Sequence, residues 1–325
     1  MRKSLIALSV LGFGVASIAE VSLPTAAGAQ EVKGPKITWR MSLWGKRRAF
    51  TEAPEYTAKV INEKTGGNFN IKLYYGQQLS KSKNQPLNVL DLPFLPIPNL
   101  DVQRNVHDDI YTHPSATKAL AKWNAKIYMS MMLPQYEYMG RGTPPSKVSD
   151  FKGKRLRALG GMGRAAKAIG AVPTTMPASE TYTALQRGTV DAIGFPYTYT
   201  FAAYKLDEIA DWYTTNMSLG SVNCPIVFNI DSYNALPDQY KKLLEDVKDG
   251  SYAAQGAAYK AKDKINVAKW DANPKLKAVK MPEDEMAAFR KMAGMPLWKQ
   301  WVKENEGKIP AQELLDIVLK TAKGG

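Results

Sequence analysis

The chain has 325 residues, 44 lysines and arginines against 30 aspartates and glutamates, and a formal charge of +14. That length holds one large domain or two lobes with a sizeable core. One cysteine excludes an intrachain disulfide, two histidines leave little for a zinc centre, and the scattered basic residues, with Lys46-Arg47-Arg48 the only tight cluster, do not make a nucleic-acid stripe.

Met1-Arg2-Lys3, an apolar run over 5–18 and Ala27-Gly28-Ala29 have the layout of a secretory signal, with cleavage after Ala29. The run is short of the roughly 20 residues that span a bilayer. The mature chain is therefore expected in the periplasm. Residues 37–43 alternate and are rich in β formers, which predicts a first strand with Trp44, Gly45 and Lys46 at its carboxyl end. A helix over 51–64, closed by Gly66-Gly67, and a strand over 70–75 complete the opening of an α/β lobe. Trp44 and Lys46 are then placed to line a cleft. Residues 105–124 read as helix, from apolar spacing at three and four, and 126–133 as a Met-rich strand. Residues 150–213 read strand (154–159), helix (164–169), strand (172–176), helix (180–186), strand (189–195), with glycines at the stops. That order calls for a parallel sheet, and ligands bind outside the carboxyl ends of such strands. Arg157 in the first of these strands and Phe195-Pro196-Tyr197 ending the last are candidates to face one cleft. Residues 219–231 are strand-like. No proline occurs from Asp238 to Asn273, which as one helix would run about 54 Å. Residues 283–303 and 311–323 read as two closing helices.

The run Asp150-Phe151-Lys152-Gly153-Lys154-Arg155-Leu156-Arg157, with Ile169-Gly170-Ala171-Val172-Pro173, Met176-Pro177 and the stretch from Tyr182 to Ala192, resembles the second lobe of the solute-binding proteins of TRAP transporters, of the dicarboxylate-binding type. Looser similarity runs over residues 37–301. The resemblance implies an α/β, two-lobed periplasmic-binding-protein-like fold with a long helix bridging both lobes. Residues 30–140 and 222–262 would form lobe I, and 141–221 and 263–325 lobe II, with crossings near 140–149 and 219–223. It also implies a function: capture of an organic acid in the inter-lobe cleft and delivery to the membrane-embedded TRAP transporter subunits, by a monomer without catalytic residues, cofactor, metal or nucleic acid. Arg157 matches the arginine that binds the substrate carboxylate in that family, and Arg141 lies where some members carry a second one. Phe195 stands where the family usually has asparagine. Phe195, Tyr197 and Trp44 would pack the ligand's carbon skeleton. Judged against the resemblance, about twenty residues are absent between Gln78 and Asp91, so strain or a gap is expected near 81–86.

An alternative is an exported α/β enzyme acting on a small anionic substrate. Gly161-Met162-Gly163-Arg164-Ala165-Ala166 matches the G-x-G-x-x-A dinucleotide fingerprint, and Glu180 follows nineteen residues on. The same glycines equally make a tight turn. No G-x-S-x-G, H-E-x-x-H or P-loop is present. Cys224, in an apolar run, reads as a small buried residue.

Overall fold

A computed structural model describes residues 31–43, 45–75 and 85–324. Residues 1–30, where a signal is expected, Trp44, and residues 76–84, where a shortening is expected, lie outside the described residues. The alternating residues after 36 form β1 (Ile37–Ser42), and α1 (Glu52–Lys64) returns the chain to β2 (Phe69–Tyr74), parallel to β1 in the register Ile37↔Phe69 to Ser42↔Tyr74. Gly66 and Gly67 turn the chain out of α1 at positive φ, where a side chain would be strained. A 3-10 segment, Gln85–Asp91, precedes α2 (Leu100–Thr112) and α3 (Pro114–Ala121). The single helix expected over 105–124 is split because Pro114 cannot continue it. Pro114 instead starts α3, and His113 Nδ1 accepts from Ser115 N at 3.2 Å. The Met-rich run gives β3 (Ala125–Ser130).

The second sheet begins with β4 (Tyr136–Gly140), then β5 (Arg155–Arg157), α4 (Gly160–Ala168), β6 (Val172–Thr174), α5 (Thr181–Gln186), β7 (Ala192–Pro196), α6 (Tyr199–Ala203) and β8 (Trp212–Thr214). β9 (Pro225–Asn229) goes back to pair antiparallel with β3. After α7 (Ile230–Asn234), α8 (Asp238–Asp246) and α9 (Lys248–Asp271), β10 (Lys277–Val279) completes a six-stranded sheet in the order β10-β8-β4-β7-β5-β6. β5, β6 and β7 are parallel, as the strand–helix alternation requires. The strands of 37–75 and of 150–215 thus lie in different sheets.

Two segments run side by side between the sheets. Met131 N donates to Cys224 O and Tyr136 N to Gly220 O, both at 2.8 Å. The outward crossing falls at 131–136 rather than at 140–149. Tyr136–Gly140, grouped with lobe I in the sequence reading, hydrogen-bonds into the second sheet instead. All five of its residues are buried, so it has no alternation to announce a strand.

The long helix is broken at Val247. Its second part, α9, runs about 36 Å. On one side Gln255 accepts from Met132 N at 3.1 Å and donates to Phe50 O at 3.0 Å, while Tyr259 Oη donates to Met132 O at 2.6 Å. On the other, Trp270 packs with Phe201 and Tyr213, and Lys269 pairs with Asp207 at 2.7 Å. α9 therefore bridges both lobes. α10 (Glu283–Ala293), α11 (Met295–Asn305) and α12 (Ala311–Gly324) end the fold. Met286 and Phe289 of α10 join the second lobe's core, but Leu314, Leu315 and Val318 of α12 pack with Val102, Val106 and Ile110 of α2, so 295–324 departs from the lobe II grouping of 263–325. Among the described residues four apolar clusters result: one in the first lobe, two on the faces of the six-stranded sheet, and this helical one.

Candidate functional site

The pleat of β5 divides its residues. Leu156 is buried with Ala192 in the cluster on one face, so Arg155 and Arg157 share the other. Arg155 is exposed and pairs with Asp191 at 2.7 Å. Arg157, at the carboxyl end, is 1% exposed. Its Nη1 donates to Gly194 O at 2.8 Å, its Nη2 to Met176 O at 3.5 Å, and its Nε is buried without a partner. Among the described residues no carboxylate pairs with it. Burial holds its pKa below the usual guanidinium value. A buried cation that has lost its water and has no counter-ion is costly. The arrangement can recover that cost by taking an anion.

Phe195 lies beneath the guanidinium, with Cζ 4.4 Å from the ring centroid. It is 1% exposed, stacks on Tyr204 at 5.4 Å and meets Phe201 edge-on at 6.1 Å. Phe195 is thus a core residue and a cation–π partner at once. Tyr197, in the turn just past β7, is half-buried between Tyr213 and Trp270, and burial raises its phenol pKa. It stands further along this aromatic face, beyond Phe195. The turn after it is held from α9: Thr198, at φ +40°, donates to Asp263 and accepts from Asn266 Nδ2 at 3.4 Å.

The first lobe reaches the same aromatic pair. Lys46 Nζ lies 4.9 Å and Arg48 Cζ 5.9 Å from the Tyr204 ring centroid. Gly45, at φ +71°, makes the turn, and a Cβ there would fall 2.8 Å from Tyr204 Oη. Burial, Lys205 and Arg48 together lower the Lys46 pKa. Arg141 is elsewhere. It leaves β4 beside Asp191, where β7 begins, and its exposed guanidinium donates to Gln186 O at 2.7 Å. Tyr204 and Arg48 were missed from the sequence. The signals were the basic triplet 46–48 and the run of aromatics after Phe195 that reaches Tyr204 nine residues on.

Two acids sit at the crossings, Glu137 buried and Asp91 half-buried. Glu137 accepts from Thr214 Oγ1 at 2.5 Å, Met217 N at 3.1 Å and Ser218 N at 2.8 Å; burial nonetheless pushes its pKa up to about 7. Asp91 accepts from Asn223 N at 2.6 Å and Nδ2 at 2.9 Å, and burial pushes it up to about 6. The glycine fingerprint has a packing role. A Cβ on Gly161 would fall 2.1 Å from Asp91 O and 2.9 Å from Pro93 N, so this backbone fills the space a pyrophosphate would need. Among the described residues no three His, Cys, Asp or Glu side chains converge as a metal site, and no helix is long and apolar enough to cross a membrane.

The sequence pattern of one protein family, described as bacterial extracellular solute-binding protein, family 7, matches residues 77–305. A solute-binding protein of Albidiferax ferrireducens is 28% identical over 173 residues, 51% of this chain and 50% of the relative. The ectoine-binding periplasmic protein TeaA of Halomonas elongata is 24% identical over 247 residues, 69% of this chain and 65% of the relative. The chain therefore spans about half to two thirds of the length of these relatives. A solved structure of the ectoine-binding protein from the Halomonas elongata TeaABC TRAP transporter has the same fold, with a TM-score of 0.75 at 18% identity over 89% of this chain and 100% of that one. A marine metagenome TRAP solute-binding protein specific for aromatic acids, in complex with 3-hydroxybenzoate, also matches with a TM-score of 0.75, at 17% identity over 90% and 99% of the two chains.

Proposed function

The chain belongs to family 7 of the bacterial extracellular solute-binding proteins, and from that premise we propose that it captures an organic acid between its lobes and hands it to a membrane-embedded TRAP-type transporter. The observation that carries this reading is the Arg157 guanidinium, buried at a strand end with no carboxylate among the described residues. Its planar fork accepts a ligand carboxylate in two parallel hydrogen bonds. Phe195 beneath the guanidinium and Tyr204 behind it make the surroundings of Arg157 aromatic where an amide is usual, which favours acids with apolar or aromatic bulk. The aromatic-acid complex of a protein of the same fold supports that choice. Binding calls for no nucleophile. The protein works outside the cytoplasmic membrane, with residues 1–29 as its leader, and as a monomer.

We assign β1 to β3 and β9 to the first lobe and the six-stranded sheet to the second, with α9 and the crossings 131–136 and 219–224 as the hinge region. A thermal-shift screen over monocarboxylic, dicarboxylic and aromatic acids tests the function. A true ligand at 100 times its Kd adds about 2.7 kcal/mol of stability. If no organic acid raises the melting temperature, acid capture is wrong.

A further inference from the structure

The strands of the first lobe form two short sheets over one core. Among the described residues β1 pairs only with β2, and β9 only with β3. Yet all four strands feed the same apolar cluster. Trp39 of β1 meets Phe69 of β2 with ring centroids 5.1 Å apart, and Phe228 of β9 at 4.9 Å. β1 therefore lies between β2 and β9, and two rings rather than a hydrogen-bonded ladder join it to β9. The ladders that do form show which backbone groups are left over. Ile37 N donates to Asn68 O and Leu43 N to Tyr74 O, both at 2.7 Å, so alternate residues from Ile37 to Leu43 bond to β2. Thr38 and Arg40 turn their N–H and C=O groups to the opposite edge. On β9, Cys224 O accepts from Met131 N at 2.8 Å and Ile230 N donates to Asn124 O at 2.9 Å. The even-numbered residues there bond to β3, and Val227, 40% exposed, turns its backbone away. Neighbouring strands lie about 4.8 Å apart, so two edges separated by the width of one strand stand ~10 Å apart, a span that facing side chains bridge.

We propose that the slot between β1 and β9 binds an extended acidic segment of a partner protein, which adds as a strand and joins the two sheets into one. Unpaired strand edges are templates for such addition, and their main-chain groups supply the affinity. Thr38, Arg40 and Val227 offer those groups here. Trp39 and Phe228 close the floor of the slot, so the inward positions of the segment take small or β-branched side chains. The outer face sets the charge. Arg40 and Lys72 are cross-strand neighbours, both exposed, and neither has a carboxylate partner among the described residues. Like charges side by side repel, and acidic side chains laid beside them relieve that repulsion. The slot is separate from the surroundings of Arg157, so the proposal stands apart from acid capture.

The probes are short capped peptides in which valine alternates with glutamate, or with lysine. Fluorescence anisotropy measures their binding to the full mature chain, and amide hydrogen exchange is followed with and without peptide. In the free chain the amides of Thr38, Arg40 and Val227 should exchange fast, and those of Trp39 and Phe228, bonded within the two sheets, slowly. The glutamate peptide should slow the first set about tenfold or more. The lysine peptide should bind about tenfold or more weakly, and the difference should shrink as salt rises. R40E/K72E should reverse the preference. Both residues are exposed, and an unchanged melting temperature confirms that the variant folds. Proline in place of a central valine of the peptide removes a ladder donor and should weaken binding about tenfold. If the glutamate peptide slows none of the three amides, or the lysine peptide binds as tightly, the proposal is wrong. If the free chain already protects Thr38, Arg40 and Val227, the slot is filled without a partner and the proposal falls. Exchange that returns on dilution would then identify a second copy as the occupant.

Discussion

Replacing Arg157 with alanine is expected to cost about 2–5 kcal/mol of acid binding, as when a buried charge pair loses one member. Arg157→Lys should recover only part, because an ammonium cannot make the planar fork. Calorimetry with an acid found by screening measures both, and undiminished affinity in R157A would remove the arginine from the site. Phe195 has a double role, so its substitution has a double effect. F195N places an amide among Phe201, Tyr204 and the guanidinium. It should lower stability by about 3 kcal/mol in urea unfolding and shift preference toward small polar acids. An unchanged urea midpoint would mean that Phe195 is not core. Arg157 and Phe195 were legible as strand-end residues. Their partners were not, because Tyr204 and Arg48 reach the site only through folding of a short helix and of the other lobe.

At the scale of elements, α9 offers a matched pair of glycines. A Cβ on Gly256 meets nothing within 4 Å, so G256A should stabilise by about 0.5–1 kcal/mol through helix propensity alone. A Cβ on Gly250 would fall 2.5 Å from Tyr56 Oη, so the ring must move away from the helix. G250A should forfeit the whole gain and finish no more stable than the parent, as denaturant midpoints will show. Equal gains at both positions would contradict this account of α1 against α9. The α/β alternation from β5 to β7 was readable because glycines punctuate it. The break at Val247 was not, since no proline or glycine occupies it, and β4 was hidden because the second sheet buries it on both faces.

At the scale of the whole molecule, Glu137 joins the loop before the return crossing to the strand after the outward one. Its carboxyl rises from 4.5 to about 7 in the fold. Between those values the folded protein keeps a proton that the unfolded chain has released. The contribution is therefore complete below about pH 4.5 and lost as pH rises through about 7. Urea unfolding at pH 5 and pH 8 should differ by on the order of 2 kcal/mol from this group, and E137Q should flatten that slope. A slope that E137Q leaves intact would place the effect elsewhere. The four apolar clusters have a consequence in time. They draw on residues 49–259, 136–293, 87–322 and 139–276, so each needs chain made late in synthesis. A nascent chain can finish no core before residue 259 has emerged, and the helical cluster waits for the last helix. Contacts so distant in sequence also make folding slow. The unfinished chain thus stays without a finished core until most of it has been made. A fragment ending at residue 240 is expected to show no cooperative melting transition by calorimetry. A sharp transition in that fragment would mean that one lobe assembles ahead of the rest.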